Sequence, residues 1–77
     1  MSVTVKFFAR LREEFGDHDR QVEITGETAV NTIWQAATGR PEMPAGVFCA
    51  VNHEHAAADT SVSDGDEVAF FPRITGG

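Results

Sequence analysis

One stretch of this 77-residue chain has the apolar spacing of a long helix. The apolar residues that recur on one predicted helical face are Val30, Ile33, Trp34 and Ala37. Thr28 is a good N-cap residue, and Glu27 would lie near the positive end of the helix dipole. Gly39, followed by Pro41, ends the helix. A helix with one apolar face must bury it against another layer, and the rest of the chain offers mainly strands for that purpose.

The strand patterns lie on both sides of the predicted helix. They cover residues 3–9, 21–24, 47–51, 56–58 and 67–71. In the first strand, alternation places Phe7 towards the core and Phe8 on the opposite face. Residues 10–15 predict a short helical turn that ends at Gly16, with Leu11 and Phe15 facing the core. The pattern predicts a single α+β domain over residues 1–77, in which one main helix crosses a mixed sheet of four to five strands.

Composition narrows the classes of function. The net charge is −6 and the pI is about 4.8, which disfavours a nucleic-acid-binding protein because such proteins need a basic face. No apolar run is long enough to span a membrane, and the first residues lack the pattern of a signal peptide. The single cysteine, Cys49, fits a reducing compartment. We therefore expect a cytoplasmic protein with no membrane or nucleic-acid partner.

The chain ends in Gly76-Gly77, after the segment Pro72-Arg73-Ile74-Thr75. Glycine has no side chain, so two of them let a tail enter a narrow channel and place its carboxylate beside a reacting atom. The same dipeptide is also compatible with a frayed terminus. The glycine pair alone leaves both interpretations open.

Longer motifs accompany the glycine pair. The segments that carry a family resemblance are residues 5–13 (VKFFARLRE), 50–52 (AVN), 64–72 (DGDEVAFFP) and 75–77 (TGG). With these motifs the chain resembles the MoaD family, the small subunits of molybdopterin synthase. The resemblance covers essentially the whole chain. It implies a ubiquitin-like β-grasp fold, with the first and last strands parallel in the middle of the sheet and a flexible C-terminal tail over residues 72–77.

The resemblance also implies a sulfur-carrier chemistry. In this family an E1-like adenylating enzyme uses ATP to activate the terminal carboxylate, here that of Gly77. A sulfur donor, either a sulfurtransferase or a persulfide, then converts the acyl-adenylate into a thiocarboxylate. The thiocarboxylate delivers sulfur to cyclic pyranopterin monophosphate in the large subunit, with which the chain would form a hetero-oligomer. The chain has no phosphate-binding loop of its own. We therefore expect a co-substrate that binds no cofactor, and not a complete enzyme.

Family positions carry over to particular residues of this sequence. Phe8 and Phe71 match an exposed apolar docking patch, and Arg12 matches an arginine near it. The tail residues that partners would grip are Pro72, Arg73, Ile74, Thr75 and Gly76, ahead of Gly77. Two positions depart from the family pattern. Arg73 stands where relatives often have a second proline, and His55 stands where an apolar docking residue is expected.

Three other functions fit a glycine-terminated β-grasp chain. The first is a different sulfur carrier, such as the thiamine-biosynthesis type. The second is a ubiquitin-like modifier joined to lysines through Gly77; Lys6 is the only lysine here, which disfavours chains built on the protein itself. The third is an interaction module whose tail has no chemical role. Deletion of Gly77 separates this last function from the others.

Several other residues could suggest a site. Residues 64–67 (DGDE) lack the rest of a calcium loop and are better explained as a turn. His53 and His55 could begin a zinc site, but no further ligands are apparent, so a solvated turn is favoured. Cys49 lies in an apolar run and is predicted to be a core residue and not a persulfide carrier. Trp34 is likewise predicted to be a core residue, and no metal site is expected.

Overall fold

The structure is a computed structural model and describes residues 1–16 and 18–72. Its strands are β1 (Ser2–Phe7), β2 (Arg20–Glu23), β3 (Thr28–Ala29), β4 (Val47–Val51), β5 (Glu54–Ala56), β6 (Ser61–Val62) and β7 (Glu67–Pro72). Its helices are α1 (Arg10–Phe15) and α2 (Val30–Thr38). The predicted tail residues Arg73 to Gly77 lie outside the described residues, so their conformation stays a prediction.

Five strands form one mixed sheet in the order β2-β1-β7-β4-β5. β1 and β7 run parallel at its centre, and every other neighbouring pair is antiparallel. This is the β-grasp arrangement that the sequence predicted. β3 and β6 form a second, two-stranded sheet that the sequence analysis did not predict.

The core lies between α2 and one face of the five-stranded sheet. Alternate residues of β1 and β7 are buried, and the apolar face of α2 packs against them. Trp34 lies at the centre, with its ring 5.0 Å from that of Phe70 and 6.3 Å from that of Phe7. The core predictions for Trp34 and Cys49 are confirmed, since each side chain is 1% exposed. Leu11 is also buried, as predicted.

The strand predicted at 21–24 lies one residue earlier in the structure, and the last strand includes Pro72, which was predicted to begin the tail but pairs with Val47. Two other strands differ from the prediction by two residues. The first strand ends at Phe7, because Ala9 has φ 55° and ψ −133°, a turn conformation incompatible with an extended strand. The strand predicted at residues 56–58 instead occupies Glu54–Ala56. Asn52 and His53, with φ 50° and 72°, form a two-residue hairpin turn, so pairing with β4 resumes at Glu54.

The predicted N-cap at Thr28 is wrong. α2 begins at Val30, and the Thr28 hydroxyl donates a hydrogen bond to the Gly26 carbonyl, 2.9 Å away. The first amides of the helix are bound by carbonyls of a distant loop: Val30 N–H donates to Thr60 (2.9 Å) and Asn31 N–H to Ala58 (2.8 Å). Tertiary partners therefore replace the local cap. The predicted helix end is confirmed, since Gly39 has the left-handed conformation at the C-terminus of α2.

The acidic turn before β7 is confirmed as a turn. Gly65 has φ 88°, and the Asp66 N–H donates to the Ser63 carbonyl over 3.1 Å. The Asp64 carboxylate accepts a hydrogen bond from the Ser2 N–H at 2.8 Å. The bond between Ser2 and Asp64 joins the start of β1 to the turn that leads into β7, and so helps align the two central strands. Among residues 1–16 and 18–72 no helix is long and apolar enough to cross a membrane.

Candidate functional site

The face of the sheet that points away from α2 carries the candidate site. Strand alternation sends Lys6 of β1, Ala69 and Phe71 of β7, and Phe48 and Ala50 of β4 to this face. All five side chains retain solvent exposure, in contrast to their buried neighbours along each strand. No described helix covers them, so this face is available to a partner.

At one end of the open face the stacked rings of Phe48 and Phe71 begin an aromatic row, and the exposed Phe8 follows the end of β1 next to them along the backbone. Phe48 is directly opposite Phe71 in the β4–β7 pair, and their ring centroids are 6.2 Å apart with an interplanar angle of 27°. Phe8 follows the Phe7–Phe70 pair, and its N–H donates to the Phe70 carbonyl at 3.1 Å, which brings its backbone close to that of Phe71. Phe8 is 47% exposed and Phe48 is 40% exposed. Exposed aromatic groups of this kind commonly mark protein interfaces.

His55 extends the aromatic row onto the edge strand β5. It lies opposite Ala50, and its ring meets that of Phe71 edge-on, with centroids 5.4 Å apart and an interplanar angle of 86°. We call Phe8, Phe48, His55 and Phe71 together the open-face patch. The sequence analysis placed Phe8 and Phe71 in such a patch and missed Phe48. The sequence of residues 47–51 is apolar throughout and gives no signal for Phe48; the structure shows that Val47 and Cys49 point inward on either side of it.

Charged groups border the patch. Lys6 Nζ lies 3.6 Å from a Glu67 carboxylate oxygen and 3.7 Å from one of Asp19. His53 Nε2 lies 3.5 Å from the other Glu67 oxygen. These pairs are solvent-accessible and contribute little to stability individually. Together they give the Glu67 carboxylate two partners on the open face, Lys6 and His53.

The turn between β1 and α1 positions Phe8 and Arg12. The Leu11 N–H donates to the Phe8 carbonyl at 3.2 Å, which closes a tight turn around Ala9. The Arg12 N–H then donates to the Ala9 carbonyl at 3.0 Å, and the exposed Arg12 side chain borders a shallow depression with Ala9, Glu13 and Gly16. Arg12 therefore lies four residues after Phe8, at the start of α1. Among the described residues, its guanidinium makes no contact with the rings of the patch.

The last strand leads directly from the patch to the predicted tail. Pro72, the final residue of β7, pairs with Val47 next to the Phe48–Phe71 pair. The tail residues Arg73, Ile74, Thr75, Gly76 and Gly77, which were predicted to bind partners or react, follow Pro72 and lie outside the described residues. Any tail attached at Pro72 therefore starts at the aromatic end of the open face.

The described residues contain no arrangement suited to metal or thiol chemistry. Among residues 1–16 and 18–72 there is no group of three or more His, Cys, Asp or Glu side chains that could hold a metal ion. Burial raises the pKa of the Cys49 thiol, and its Sγ donates a hydrogen bond to the Ala56 carbonyl at 3.3 Å. A buried, protonated thiol is a poor nucleophile. Cys49 is therefore a core side chain.

Comparison with known proteins gives consistent results for the sequence and the fold. The model of the ThiS family matches residues 5–77. The molybdopterin synthase sulfur carrier subunit of Escherichia coli (strain K12) is 35% identical, over 97% of this chain and 99% of the relative.

Solved structures share the whole architecture. SAMP1, a small archaeal modifier protein from Haloferax volcanii, superposes with a TM-score of 0.85 at 28% sequence identity. The superposition covers 100% of this chain and 100% of SAMP1. The Pyrococcus furiosus protein described as a molybdopterin converting factor, subunit 1, gives a TM-score of 0.78 at 27% identity, over 96% of this chain and 99% of that one. These matches confirm the ubiquitin-like β-grasp fold and the resemblance to MoaD. The chain belongs to the ThiS family and is one of its ubiquitin-like sulfur carriers.

Proposed function

We propose that this chain is the small subunit of a molybdopterin synthase and supplies the sulfur for molybdenum cofactor biosynthesis. The observation that carries the proposal is the 35% identity with the E. coli molybdopterin synthase sulfur carrier subunit over nearly the full length of both chains. The family match supports it further, because it extends through Gly77. ATP is required for the chemistry below, which fits a cytoplasmic protein.

The reacting group is the carboxylate of Gly77. A carboxylate is a poor electrophile, so a partner adenylating enzyme first joins it to AMP from ATP and releases pyrophosphate. A sulfur donor, either a sulfurtransferase or a persulfide, then attacks the acyl carbon and AMP leaves. A persulfide sulfur gives an acyl disulfide, which a second thiol reduces to the thiocarboxylate, forming a disulfide with the donor. In the large subunit the thiocarboxylate passes its sulfur to cyclic pyranopterin monophosphate and returns to a carboxylate. Two such deliveries complete the dithiolene.

This chain acts in that sequence as a co-substrate. Gly76 and Gly77 carry no side chains, so the tail can enter the active sites of its partners. The catalytic groups and the ATP site belong to those partners, and the chain binds no cofactor of its own. Arg73, Ile74 and Thr75 are the segment that the partners would grip.

The open-face patch is the docking surface in this proposal. Phe8, Phe48 and Phe71 present aromatic rings to solvent, and Pro72 starts the tail beside them. Arg12, on the helix that follows Phe8, would contact the rim of a partner. A partner seated on this patch can therefore hold the domain while the tail reaches its active site, as expected for a hetero-oligomer with the large subunit.

A second candidate function is that of a protein modifier. It is favoured by the likeness to SAMP1 from H. volcanii over both complete chains. Adenylation of Gly77 is common to both functions, and they differ in the acceptor, which would be a lysine amine of another protein. A thiamine-type sulfur carrier would also share the activation step.

The test is the intact mass of the protein after incubation with ATP, its adenylating enzyme and a sulfide source. We expect a mass increase equal to the replacement of one oxygen by sulfur, followed by conversion of cyclic pyranopterin monophosphate when the large subunit is added. The matched control lacks only Gly77 and should gain no mass. Its melting temperature should be unchanged, because every described core residue precedes Pro72.

Other outcomes assign other functions. Absence of a mass change with an active adenylating enzyme would contradict the sulfur-carrier proposal, and lysine-linked conjugates in the lysate would then favour the modifier. A thiocarboxylate that forms but does not convert the pyranopterin would favour another sulfur pathway.

A further inference from the structure

We infer that His55 determines partner specificity in the open-face patch, and that the partner presents a carboxylate to its imidazole. The inference deepens the proposed function and rests on it, because it concerns the chemistry of the large-subunit surface that docks on this patch. It explains why an imidazole is tolerated where the family resemblance predicts an apolar side chain.

The position of His55 makes its burial unavoidable on docking. Its ring contacts Phe71 edge-on at a centroid distance of 5.4 Å, and Phe71 in turn stacks on Phe48. A partner that covers the two phenylalanine rings therefore also covers the imidazole. In the free chain His55 is exposed, so water satisfies its nitrogens.

Within the described part of the chain, no hydrogen bond or ion pair is formed by the His55 imidazole. Removing a polar N–H from water without a new acceptor costs binding energy. A partner that is wholly apolar opposite His55 would bear that cost, whereas one that offers an acceptor would recover it. The imidazole therefore selects for a polar group at one point of an otherwise aromatic interface.

The surroundings of His55 favour a carboxylate as that acceptor. One row across the sheet, set by strand pairing, runs Lys6, Ala69, Ala50 and His55. Lys6, at the far end of this row, is already paired with Glu67 and Asp19. Among the described residues His55 is therefore the protonatable group of the row that has no carboxylate partner, and a carboxylate on the docking protein would give it a charge-assisted hydrogen bond. Glu67, an acidic side chain on this face, is already engaged by Lys6 and His53.

The remaining described groups around His55 supply no internal carboxylate. Its neighbours across the sheet, Ala50 on β4 and Phe71 on β7, are uncharged. Glu54, next to it on β5, points to the other face because strand side chains alternate. His53, just before β5, is 85% exposed and pairs with Glu67, so it serves as a matched control.

The experiment measures the Kd for the purified large subunit by calorimetry at pH 5.5 and pH 8, for the wild type, His55→Leu and His53→Gln. Imidazole is the side chain that gains charge over this interval. The Kd of each variant is divided by the wild-type Kd at the same pH. This ratio cancels the effects of those groups of the large subunit that titrate in the same way with the variant and the wild type. We expect His55→Leu to bind about tenfold more weakly at pH 5.5, with a smaller loss at pH 8. His53→Gln removes an imidazole that borders the patch and pairs with Glu67 but makes no ring contact with Phe71, so its loss at pH 5.5 should be smaller than that of His55→Leu.

The result that overturns the inference is a His55→Leu variant that binds as tightly as the wild type, or more tightly, at both pH values. The Phe71→Ala variant separates the possible failures. If Phe71→Ala weakens binding and His55→Leu does not, the large subunit presents no carboxylate to His55, but it still docks on the open-face patch. If neither change weakens binding, the docking face of the proposed function fails as well. A His55 effect seen with the adenylating enzyme alone would contradict the assignment to the large subunit.

Discussion

Phe48 and Phe71 face each other across the β4–β7 pair and stack on the solvent side of the sheet, with ring centroids 6.2 Å apart. Their strand neighbours Cys49 and Phe70 point the other way and are buried. The core therefore forms without the two stacked rings, which remain available to bind a partner protein. A stacked pair held by a rigid central sheet also loses little conformational freedom when it is covered.

We expect Phe48→Ala and Phe71→Ala each to weaken binding of the large subunit by about 2 kcal/mol, as aromatic interface residues do. The unfolding free energy should change little for Phe48→Ala, because that ring is 40% exposed. Calorimetric titration measures the first effect and urea denaturation the second. Gln35→Ala, on the exposed side of α2, is the control that should leave binding unchanged. Wild-type affinity in both phenylalanine variants would contradict the assignment of the patch.

The main elements could be predicted because local pattern and tertiary packing agree in them. The spacing of Val30, Ile33, Trp34 and Ala37 gave the helix face, and alternation in residues 3–7 gave the inward face of β1. The start of α2 could not be predicted, because its first amides bind carbonyls of residues 58 and 60, which are far away in the sequence. The β3–β6 pair was missed because two-residue strands carry no periodicity.

The candidate site was predictable only in part. Resemblance supplied Phe8 and Phe71, and in the structure the backbone of Phe8 is bonded to Phe70, the neighbour of Phe71. Their role in docking stays a prediction. Phe48 was missed because residues 47–51 form a nearly continuous apolar run, which hides which side chains face outward. The contact of His55 with Phe71 depends on the pairing of β5 and β7 with β4, and this register depends on the hairpin turn at Asn52 and His53.

Arg20 joins the ends of both helices and was not singled out by the sequence. Its guanidinium donates hydrogen bonds to the carbonyls of Phe15, at the end of α1, and Ala37, in the last turn of α2. It also lies 5.3 Å from the centroid of the Phe7 ring. A cation at two helix C-termini complements both helix dipoles and satisfies carbonyls that the helices leave unpaired.

We therefore expect Arg20→Met to lower the unfolding free energy by about 2–3 kcal/mol, since it removes charge-assisted hydrogen bonds from a half-buried site. The control is Arg40→Met, which removes a guanidinium that lies over Phe15 and pairs with Glu14 but is 51% exposed. It should cost less than about 1 kcal/mol. Urea denaturation measures both, and equal losses would contradict the special role of Arg20.

Ala9 adopts a backbone conformation, φ 55° and ψ −133°, that glycine adopts far more readily than alanine. We expect Ala9→Gly to raise the unfolding free energy by about 1 kcal/mol, because relief of strain exceeds the entropy gained by the unfolded chain. Ala36→Gly, within α2 and exposed, should lower it by about 1 kcal/mol. Chemical denaturation of the two variants checks the opposite signs. Destabilisation by both would show that Ala9 is not strained.

Ionisation of the Asp66 carboxylate, in the turn before β7, makes the unfolding free energy depend on pH at acid pH. Its carboxylate accepts hydrogen bonds from the Ser63 N–H at 2.9 Å and from the Asn52 side-chain amide at 3.1 Å. These bonds, that of Ser63 foremost, favour the ionised form and lower the pKa of Asp66 in the folded chain. Because the folded pKa lies below the unfolded one, the stabilisation is complete above the unfolded pKa and is lost as the pH falls through the folded pKa.

We expect Asp66→Asn to be less stable than the wild type at pH 7. The difference should shrink as the pH falls below the ordinary aspartate pKa of about 4, and the ionisation part of it should vanish only below the lowered pKa of the folded state. Asparagine keeps the size of the side chain, but it removes the charge and replaces one of the two accepting oxygens with an amide donor. The pH dependence of the difference, and not its size at pH 7, therefore reports the ionisation of Asp66. Unfolding free energies from urea denaturation between pH 7 and pH 2.5 measure it. Asp59→Asn, at an exposed aspartate, is the matched control and should not show this pH-dependent difference. A difference for Asp66→Asn that stayed constant across the range would show that the hydrogen-bond geometry, and not the carboxylate charge, holds this turn.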